Sequence, residues 1–331
     1  MTAGQLNEST HAHPATRASI GMEDVEVVLV SYRSRHHVEE LLGGWPTDLA
    51  VAIVDNSGNV DGLEEFAGTM PNVRYLTGGG QGFARGANLG AFTSEKRFVV
   101  FVNPDCRPTV EQLLTLVQGL ADDDNAITHA ATPIGLDGLI AFGVGGWEFS
   151  VRRAAMHALG LHKVFRTAGL FAHPRPGEHL DVDWVTGTCM AVDRERFHTL
   201  HGFDEAFFVY CEDVALGHQA RQRGWHSRLR EDVTVVHGTG SSGAPSSEMR
   251  RLQGASFTTY VKRYGRNRIS AATVRSLYVL GAGWRIVVLA VGGRRERASA
   301  TLATIRGVIT QKAYVAGSEV ALARAQEAGT V

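Results

Sequence analysis

Cysteine and proline are scarce in this chain of 331 residues, and neither charge sign dominates. The three cysteines, Cys106, Cys189 and Cys211, are too few and too scattered for a disulfide framework, and none lies in the Cys-x-x-Cys pair typical of structural zinc. A net charge of -1 supplies no global field that would attract nucleic acid. We therefore expect a reducing, cytoplasmic environment, no nucleic-acid partner, and a local site for any anionic ligand.

Long hydrophobic runs and an export signal are also missing. Residues 1–22 are rich in Ser, Thr, His and Ala, without a basic start followed by an apolar core, so they are predicted to form a disordered tail. No uninterrupted apolar run reaches the roughly 18 residues that a membrane-spanning helix needs. The composition, 44% hydrophobic, instead predicts a globular protein with a sizeable core.

Strand and helix patterns alternate four times near the start of the chain. β-branched runs at Val25 to Tyr32 and Val51 to Val54, and the runs "VRYLT" and "RFVVFV", are each followed by a polar turn and a helical pattern. This alternation predicts an α/β fold with a mostly parallel sheet and helices on both faces. Ligands of such sheets bind at the carboxyl ends of the strands, where Asp55 and Asp105 lie.

The regular alternation stops after Ala126. From "VDWVTGTCMAVD" onward the pattern predicts a strand, a helix from about Arg194, an aromatic loop, and a helix that begins near Glu212. Two short strands, "HSRLR" and "VTVVH", are predicted to complete the core. From Ser246 to the end of the chain the pattern is helical.

A glycine-rich segment, "GGGQGFARGANLGAF", follows the third predicted strand and suggests a nicotinamide-dependent oxidoreductase as an alternative. Gly80 and Gly82 begin a dinucleotide fingerprint, but its third glycine would have to stand where the chain has Arg85. The fingerprint also belongs after the first strand of such a fold. The spacing therefore argues against a dinucleotide site.

Six segments together carry a family resemblance: "VVLVSYRS", "VAIVDNSGNVD", "GQGFARGANLGA", "FVNPD", "VTGTCMAVDRERFHTLHGFDEAFFVYCEDVAL" and "VVHGTGSS". In this order they resemble the family 2 glycosyltransferases, in the bacterial rhamnosyltransferase-like branch, over about Val25 to Ser242. The resemblance implies a GT-A fold with a Rossmann-like nucleotide-sugar-binding half (23–125), an acceptor-binding and catalytic half (126–245) and a C-terminal helical region (246–331).

The resemblance also implies the reaction. It is an inverting transfer of a sugar from a dTDP- or UDP-linked donor, with dTDP-L-rhamnose the best single guess, assisted by Mg²⁺ or Mn²⁺. The acceptor would be a glycan or a polyprenyl-linked molecule in cell-surface polysaccharide synthesis. A catalytically inactive nucleotide-sugar-binding protein is a further alternative, because the acidic motif of the family is altered in this chain.

For the donor, the resemblance implies that the Asp55 carboxylate accepts the ring N–H of uracil or thymine, with Ser31 and Tyr32 holding the base and ribose. The alternative is that Asp55 only caps the turn Asp-Asn-Ser-Gly. The implied nucleotide-sugar-binding residues are Ser31, Tyr32, Arg33, Asp55, Gly82, Phe83, Arg85, Gly86, Asn88 and Asn103.

For the metal, the resemblance implies Asp105, held at the end of a strand by the turn Asn103-Pro104-Asp105. Relatives commonly carry Asp-x-Asp here, so one carboxylate is missing from this chain. A hard divalent cation would bridge the remaining carboxylate to the phosphate oxygens of the donor. The resemblance adds His237 to the metal or diphosphate site, although a lone His at a strand end is often structural.

For catalysis, the resemblance implies Asp213 as the general base, with Trp184, Gly187, Thr188, Tyr210 and Glu212 around the acceptor. The alternative is that Glu212 and Asp213 only cap the helix that they begin. Burial raises the pKa of a carboxylate and a helix N-terminus lowers it, so the sequence predicts no net direction. Two departures from the family stand here: Ala215 replaces a second Asp, and Gly217-His218 replaces a cationic or aromatic residue.

The stretch "VRSLYVLGAGWRIVVLAVGGRRER" has two interpretations. It pairs an apolar stretch, interrupted by Arg285, with Arg294, Arg295 and Arg297 just beyond it. One interpretation is a buried helix that packs on the core. The other is a helix that lies on the cytoplasmic face of the inner membrane, with its arginines on anionic headgroups.

Overall fold

The computed structural model describes residues 19–141, 143–175, 177–238 and 246–310. These residues form ten strands: β1 Val25–Ser31, β2 Ala50–Asp55, β3 Val73–Thr77, β4 Phe98–Val102, β5 Ala126–Ile134, β6 Gly145–Gly146, β7 Leu180–Val182, β8 Trp184–Val185, β9 Cys189–Asp193 and β10 His226–Val236. They also form ten α-helices: α1 Arg35–Gly43, α2 Leu63–Ala67, α3 Phe83–Phe92, α4 Val110–Ala121, α5 Val151–Ala158, α6 Arg194–Thr199, α7 Glu212–Gln222, α8 Ser246–Arg263, α9 Arg268–Val291 and α10 Arg295–Thr310. Short 3-10 turns cover Met22–Asp24 and Leu161–Lys163.

Eight strands form one sheet in the order β3-β2-β1-β4-β9-β5-β10-β7, and β6 pairs with β8 separately. The strands β1 to β4, β5 and β10 run in one direction, whereas β9 and β7 are antiparallel to their neighbours. The chain moves outward from β1 to β3 and then returns to the other side of β1 as β4. This reversal makes the carboxyl ends of β1 and β4 a switch point, where ligands of such sheets bind.

Both faces of the central strands are buried. Alternate side chains point to opposite faces, so Val27 and Val28 enter different clusters. The first cluster packs the sheet against α1, α2 and α4, and the second packs it against α3, α6 and α7. The predicted α/β architecture, a mostly parallel sheet with helices on both faces, is confirmed.

The second half of the chain departs from the prediction in two places. Between Ala126 and Ile134 lies a central strand, β5, which the sequence pattern did not reveal because polar residues interrupt it. Two of them, Thr128 and Thr132, are nevertheless buried, and Thr132 Oγ1 donates to the carbonyl of Arg230 at 3.0 Å. The predicted pair of short strands near the end of the sheet is instead one continuous strand, β10.

Residues 19–22, which were predicted to belong to the disordered tail, are part of the fold. Ile20 and Met22 pack against the first core cluster, and the Ile20 N–H donates to Gln118 Oε1 at 2.9 Å. Residues 19–22 therefore belong to the folded unit. The rest of the predicted tail, residues 1–18, lies outside the described residues.

The C-terminal helices are joined to the acceptor half through a third cluster. It contains Trp184, Phe207 and Val214 together with Tyr260 from α8 and Val308 from α10. The predicted C-terminal helical region therefore packs against the rest of the fold. Within the described residues the expected helical pattern after Ser246 is confirmed.

Helix α9 is much more exposed than the interpretation as a buried core helix predicts. It has 24 residues, and by length and composition it could cross a membrane, because its most apolar 18-residue window has a mean hydropathy of 1.5 despite the arginines in the helix. Only 11% of its most apolar 18-residue window is buried. The interpretation as a buried core helix is therefore wrong, whereas the expectation that no uninterrupted apolar run reaches membrane-spanning length holds, because Arg275 and Arg285 interrupt this helix.

Candidate active site

Asp105 and His237 meet at the switch point although they lie far apart in the chain. His237 Nε2 is 3.2 Å from Asp105 Oδ1, with side chains 17% and 12% exposed. Three contacts hold the two segments together: a β-bridge between Cys106 and His237, the Gly238 N–H on the Asp105 carbonyl, and the Arg107 N–H on the Val236 carbonyl. The turn itself closes through the Cys106 N–H, which donates to the Asn103 carbonyl at 2.9 Å.

The pair fits a divalent cation. Two neighbouring ligands of an octahedral ion at 2.0–2.1 Å lie about 3 Å apart, close to the separation between the Asp105 oxygen and the His237 nitrogen. Among the described residues these two groups and the Cys106 thiol form a set whose ligand atoms lie within 4.8 Å of one another. Two protein ligands would leave the remaining positions to phosphate oxygens and water.

Cys106 is poorly suited to be the third ligand. Its side chain is completely buried, and its sulfur lies 3.6 Å from the carbonyl oxygen of Thr188, to which it donates. Burial, with Cys189 and Asp105 nearby, raises the pKa of the Cys106 thiol well above its usual value. A protonated thiol is a weak ligand for hard cations, which prefer oxygen.

The dipeptide Gly187–Thr188 connects the Asp105 turn to the predicted base. The Thr188 carbonyl accepts the Asn103 N–H at 2.8 Å, and the Gly187 backbone lies close enough to the Asp213 carboxylate to lower its pKa. Asp213 Oδ1 also accepts the Val214 N–H at 2.8 Å. The structure thus brings the two predicted acidic residues to opposite sides of one dipeptide.

The chain enters α7 through two consecutive left-handed residues. Tyr210 and Cys211 have φ values of 68° and 66°, a conformation that costs a non-glycine residue about 1–3 kcal/mol. They turn the aromatic loop abruptly, so that Glu212 and Asp213 begin the helix under the β9 end of the sheet. Cys211, the N-cap residue, makes no side-chain cap hydrogen bond.

The two carboxyl groups of α7 have different surroundings. Burial raises the pKa of Asp213 to about 6, and the hydrogen bonds from Val214 and Gly187 oppose this rise. Glu212 is 5% exposed, and its Oε2 has no hydrogen-bond partner among the described residues. Burial, together with the charge of Asp213, raises the pKa of Glu212 well above its usual value. The net direction that the sequence left open is therefore upward for both.

Packing explains both departures from the family pattern. Ala215 is completely buried in the third cluster, where an aspartate would lose its hydration without a counter-charge. A Cβ built on Gly217 would overlap the Asp183 carbonyl oxygen, so no larger side chain fits between α7 and β8. His218 Nδ1 instead lies 3.0 Å from the Glu148 carboxylate. These replacements maintain the contact between α7 and β8.

On the donor side, two buried polar atoms lack partners at the ends of β1 and β2. Ser31 Oγ and Asn56 Oδ1 have no hydrogen-bond partner among the described residues, and the Asn56 N–H donates to the Ser31 carbonyl at 2.8 Å. Asn56 was not among the predicted site residues, although it directly follows Asp55 in the Asp-Asn-Ser-Gly turn. Beyond β1, the Arg33 guanidinium lies 5.5 Å from the centroid of the Tyr32 ring, and Arg33 has a φ of 53°.

Asp55 has the geometry of a turn-capping carboxylate. It is completely buried, and its oxygens accept hydrogen bonds from the Ser57 N–H and hydroxyl, from the Asn59 N–H and from the Tyr75 hydroxyl, at 2.6–2.9 Å. Burial raises the pKa of the Tyr75 hydroxyl, and its hydrogen bond to Asp55 raises that pKa further. A nucleobase could reach Asp55 only by displacing one of these donors.

The glycine-rich segment contacts the protein's own aromatic loop. A Cβ on Gly82 would overlap the Phe208 carbonyl oxygen, which accepts the Phe83 N–H at 2.7 Å. A Cβ on Gly86 would lie 3.0 Å from Val30 on β1. These glycines let α3 approach the loop and the sheet, and their contact with a nucleotide stays a prediction.

Asn88 and Arg85 are also placed differently from the expectation. Asn88 is buried, and its amide bonds the carbonyl and N–H of Phe203 at 2.9 and 2.8 Å. Arg85 is exposed and pairs with Glu205 at 2.9 Å. Both residues anchor the aromatic loop on α3, so neither contact supports a role at the diphosphate.

The predicted acceptor residues divide into two groups. Gly187, Thr188 and Glu212 surround Asp213, as described above. Trp184 is buried in the third cluster and donates from Nε1 to the Trp147 carbonyl at 3.3 Å, so it is a core residue and the expectation for it is corrected. Tyr210 precedes Glu212, and burial raises the pKa of its hydroxyl.

Comparison with known proteins identifies this arrangement. Residues 33–172 match the family model "Glycosyl transferase family 2". The chain is 28% identical over 251 residues to an N-acetylglucosaminyl-diphospho-decaprenol L-rhamnosyltransferase of Mycobacterium tuberculosis, covering 65% of this chain and 76% of the relative. It is 24% identical over 205 residues to the rhamnosyltransferase WbbL of Escherichia coli, covering 58% and 75%. Residues 33–172 thus match the family 2 glycosyltransferases, and both of these relatives are rhamnosyltransferases.

The fold of this glycosyltransferase matches solved structures. A mannosyltransferase of Pyrobaculum calidifontis, solved with GDP-Man and Mn²⁺, superposes with a TM-score of 0.52 at 18% identity over 92% of this chain and 86% of that one. A structure of GalNAc-T7 with UDP, GalNAc and Mn²⁺ gives a TM-score of 0.49 at 14% identity over 77% of this chain, which spans 54% of its length. The predicted GT-A fold is confirmed.

Proposed function

We propose that this glycosyltransferase transfers L-rhamnose, with inversion, from dTDP-L-rhamnose to a glycan or polyprenyl-linked acceptor in cell-surface polysaccharide synthesis. The observation that carries the proposal is the dipeptide Gly187–Thr188, whose Gly187 lies beside the Asp213 carboxylate and whose Thr188 carbonyl accepts the N–H of Asn103 in the Asn103–Asp105 turn. The L-rhamnosyltransferase names of the relatives support the choice of sugar, and the decaprenol-linked acceptor of one supports a lipid-linked acceptor.

In the proposed mechanism, Asp213 takes the proton. The acceptor hydroxyl oxygen attacks the anomeric carbon, the bond from that carbon to the diphosphate oxygen breaks, and the hydroxyl proton passes to an Asp213 carboxylate oxygen. No second acid is needed, because the diphosphate is already a good leaving group when its charge is neutralised. The Gly187 and Val214 N–H groups orient the carboxylate for this transfer.

Asp105 and His237 would hold Mg²⁺ or Mn²⁺, which supplies positive charge to the diphosphate when bound. The Mn²⁺ that accompanies the nucleotide sugar in the mannosyltransferase structure supports this assignment. The other relevant cation is Arg107, whose guanidinium bonds the Pro104 carbonyl at 2.9 Å and so stabilises the turn that carries Asp105.

For the nucleotide, we propose that Ser31 and Asn56 supply the first polar contacts, since their buried oxygens have no partners within the described chain. Tyr32 and Arg33 lie directly beyond Ser31 and would flank the base and ribose. Asp55 would hold the turn that carries Asn56, or accept the base N–H after losing one of its present donors. A polyprenyl-linked acceptor would require the enzyme to work at the cytoplasmic face of the inner membrane.

A panel of ligands tests this function. We expect dTDP-L-rhamnose with Mn²⁺ to raise the melting temperature more than UDP-sugars, GDP-mannose or NAD, and to be hydrolysed slowly without acceptor. Stabilisation by NAD alone would favour the oxidoreductase alternative. Donor binding without hydrolysis or transfer to any acceptor would favour an inactive nucleotide-sugar-binding protein. Preference for another nucleotide sugar would keep the transferase and change the donor.

A further inference from the structure

Acidic residues are absent from two long segments of the chain. Residues 149–177 and 249–295 contain fifteen Lys and Arg and no Asp or Glu, while the other 255 residues contain 18 basic and 34 acidic ones. The near-neutral total therefore hides a strong segregation of charge. Together we call these two segments the acid-free face.

The two segments are neighbours in the fold. The first contains α5 and the 3-10 turn Leu161–Lys163, and the second contains α9. A Cβ built on Gly281 of α9 would lie 2.9 Å from the Cα of Ala158 at the end of α5, so the two helix backbones touch. Leu159 and Leu280, the neighbours of these two residues in the sequence, are both exposed, so their apolar surfaces flank the same contact.

Exposed apolar side chains concentrate on the same face. Among the described residues, 17 large hydrophobic side chains are exposed, and 11 of them belong to the two acid-free segments. These are Val151, Leu159, Leu161, Val164, Phe165, Ile269, Leu280, Trp284, Val287, Val288 and Val291. Contiguous apolar surface of this kind on a soluble domain marks an interaction site.

On α9 the exposed side chains form a single stripe. Leu280, Trp284, Val287, Val288 and Val291 fall within about 100° of arc at 3.6 residues per turn. The opposite side of the helix is docked on the protein through its buried residues, Ala271, Val274 and Leu289. Insertion of α9 across a bilayer would break this docking, whereas contact with a bilayer surface needs only the stripe that is already bare.

We propose that the acid-free face docks on an anionic lipid bilayer, with the α9 stripe and the turn around Val164 in the acyl boundary and the surrounding Lys and Arg on the headgroups. Charge complementarity selects this occupant. A second copy would bring two faces of the same sign together, which opposes association. The C-terminal segment 311–331 has two basic and two acidic residues, so it offers no opposite charge. Nucleic acid would match the charge but not the exposed leucines and valines.

This proposal deepens the proposed lipid-linked acceptor class, because docking would bring the cleft to the surface where such an acceptor lies. It can fail separately from the transfer reaction. Soluble donor hydrolysis needs no bilayer, so we expect Trp284→Asp to hydrolyse donor at the wild-type rate. Loss of vesicle binding with unchanged hydrolysis would then show a defect in membrane docking and not in the transfer reaction.

Vesicle sedimentation of the full chain tests the docking. We expect binding to phosphatidylglycerol vesicles, at least about tenfold weaker binding to phosphatidylcholine, and release by high salt. Trp284→Asp on α9 and Val164→Asp on the neighbouring turn should each weaken binding about tenfold or more. Leu136→Asp is the matched control, because Leu136 is 88% exposed but lies outside both segments, and it should bind like wild type.

Fluorescence quenching by brominated phosphatidylglycerol locates the contact. Trp284 is 68% exposed, whereas Trp45, Trp147 and Trp184 are buried. We expect quenching in the wild type and much less in Trp284→Phe, which should still bind vesicles. Equal binding to both lipids, or unchanged binding by both Asp variants, would overturn the proposal. Insertion that resists carbonate extraction would also overturn the proposal. So would shielding of Trp284, in the absence of lipid, by a second copy or by another part of the same chain.

Discussion

Asp213 combines partial burial with a backbone hydrogen bond from Val214, and its proposed catalytic role can be separated from its position at the helix start. Asp213→Asn keeps the shape of the side chain and an oxygen for the Val214 N–H, but it cannot take a proton. We expect the transfer rate to fall by about 10²–10⁴, with donor affinity and melting temperature close to wild type. Initial rates and thermal melting check this. A comparable rate would reduce Asp213 to a cap and direct attention to Glu212.

The pH dependence of transfer follows from the pKa of Asp213, about 6. A base must be ionised, so kcat/KM should rise with pH and level off above this value, falling about tenfold per pH unit below it. The charge of Asp213 contributes to the raised pKa of Glu212, whereas Glu212 is not among the groups that shift the pKa of Asp213. Glu212→Gln should therefore leave the midpoint near its wild-type position. A clear drop of the midpoint in this variant would mean that Glu212 carries charge there.

Asp105 and His237 can be tested as a metal pair by separating donor affinity from metal dependence. Asp105→Ala should remove the part of donor affinity that depends on Mn²⁺, because the carboxylate between protein and diphosphate is lost. His237→Ala should weaken that part less, and His237→Gln should restore some of it, since an amide oxygen can also ligate. Calorimetric titration of donor with and without Mn²⁺ measures both. An undiminished Mn²⁺ effect in Asp105→Ala would refute the pair.

At the scale of elements, the contact between α7 and β8 fixes where Asp213 stands. Gly217 lies against the Asp183 carbonyl, so Gly217→Ala must push the helix away from the strand. We expect a loss of about 1–3 kcal/mol in the free energy of unfolding, measured by urea denaturation. Gly43→Ala is the control, because a Cβ there meets nothing within 4 Å. Equal stability of the two variants would show that α7 can move without cost.

The aromatic loop, residues 203–211, illustrates how elements position one another. Asn88 of α3 holds Phe203, and Gly82 accommodates Phe208, so the glycine-rich segment anchors the loop that leads into α7. Local sequence showed that α3 begins with glycines but not what they face. These contacts were not predicted because the partner comes from more than a hundred residues further along the chain.

At the scale of the whole molecule, residues 19–22 contribute to the folded unit. Ile20 and Met22 cover the first core cluster, and the Ile20 N–H bonds Gln118. A chain that starts at Glu23 should therefore unfold more easily than one that starts at Ser19, by about 1–3 kcal/mol. Thermal and urea denaturation of the two chains measure the difference. Identical stability would place residues 19–22 outside the folded unit after all.

The sequence by itself determined the features that depend on neighbours along the chain. Continuous β-branched runs made β1 to β4 recognisable, because strands buried on both faces need apolar residues at every position. The turn Asn103-Pro104-Asp105 was visible for the same local reason, and so was the acidic start of α7. Together with six motifs in order, these features were sufficient for the family and the GT-A fold.

Only the tertiary structure decided which residues meet and which are buried. The approach of His237 to Asp105, the proximity of Gly187 to Asp213 and the unpartnered oxygen of Asn56 all depend on strand register. The pattern of burial shows that Trp184 is a core residue and that one side of α9 is exposed to solvent. The physical reason is that side-chain periodicity reports an element's own faces, whereas the partners and the loss of solvent that shift a pKa are set by distant segments.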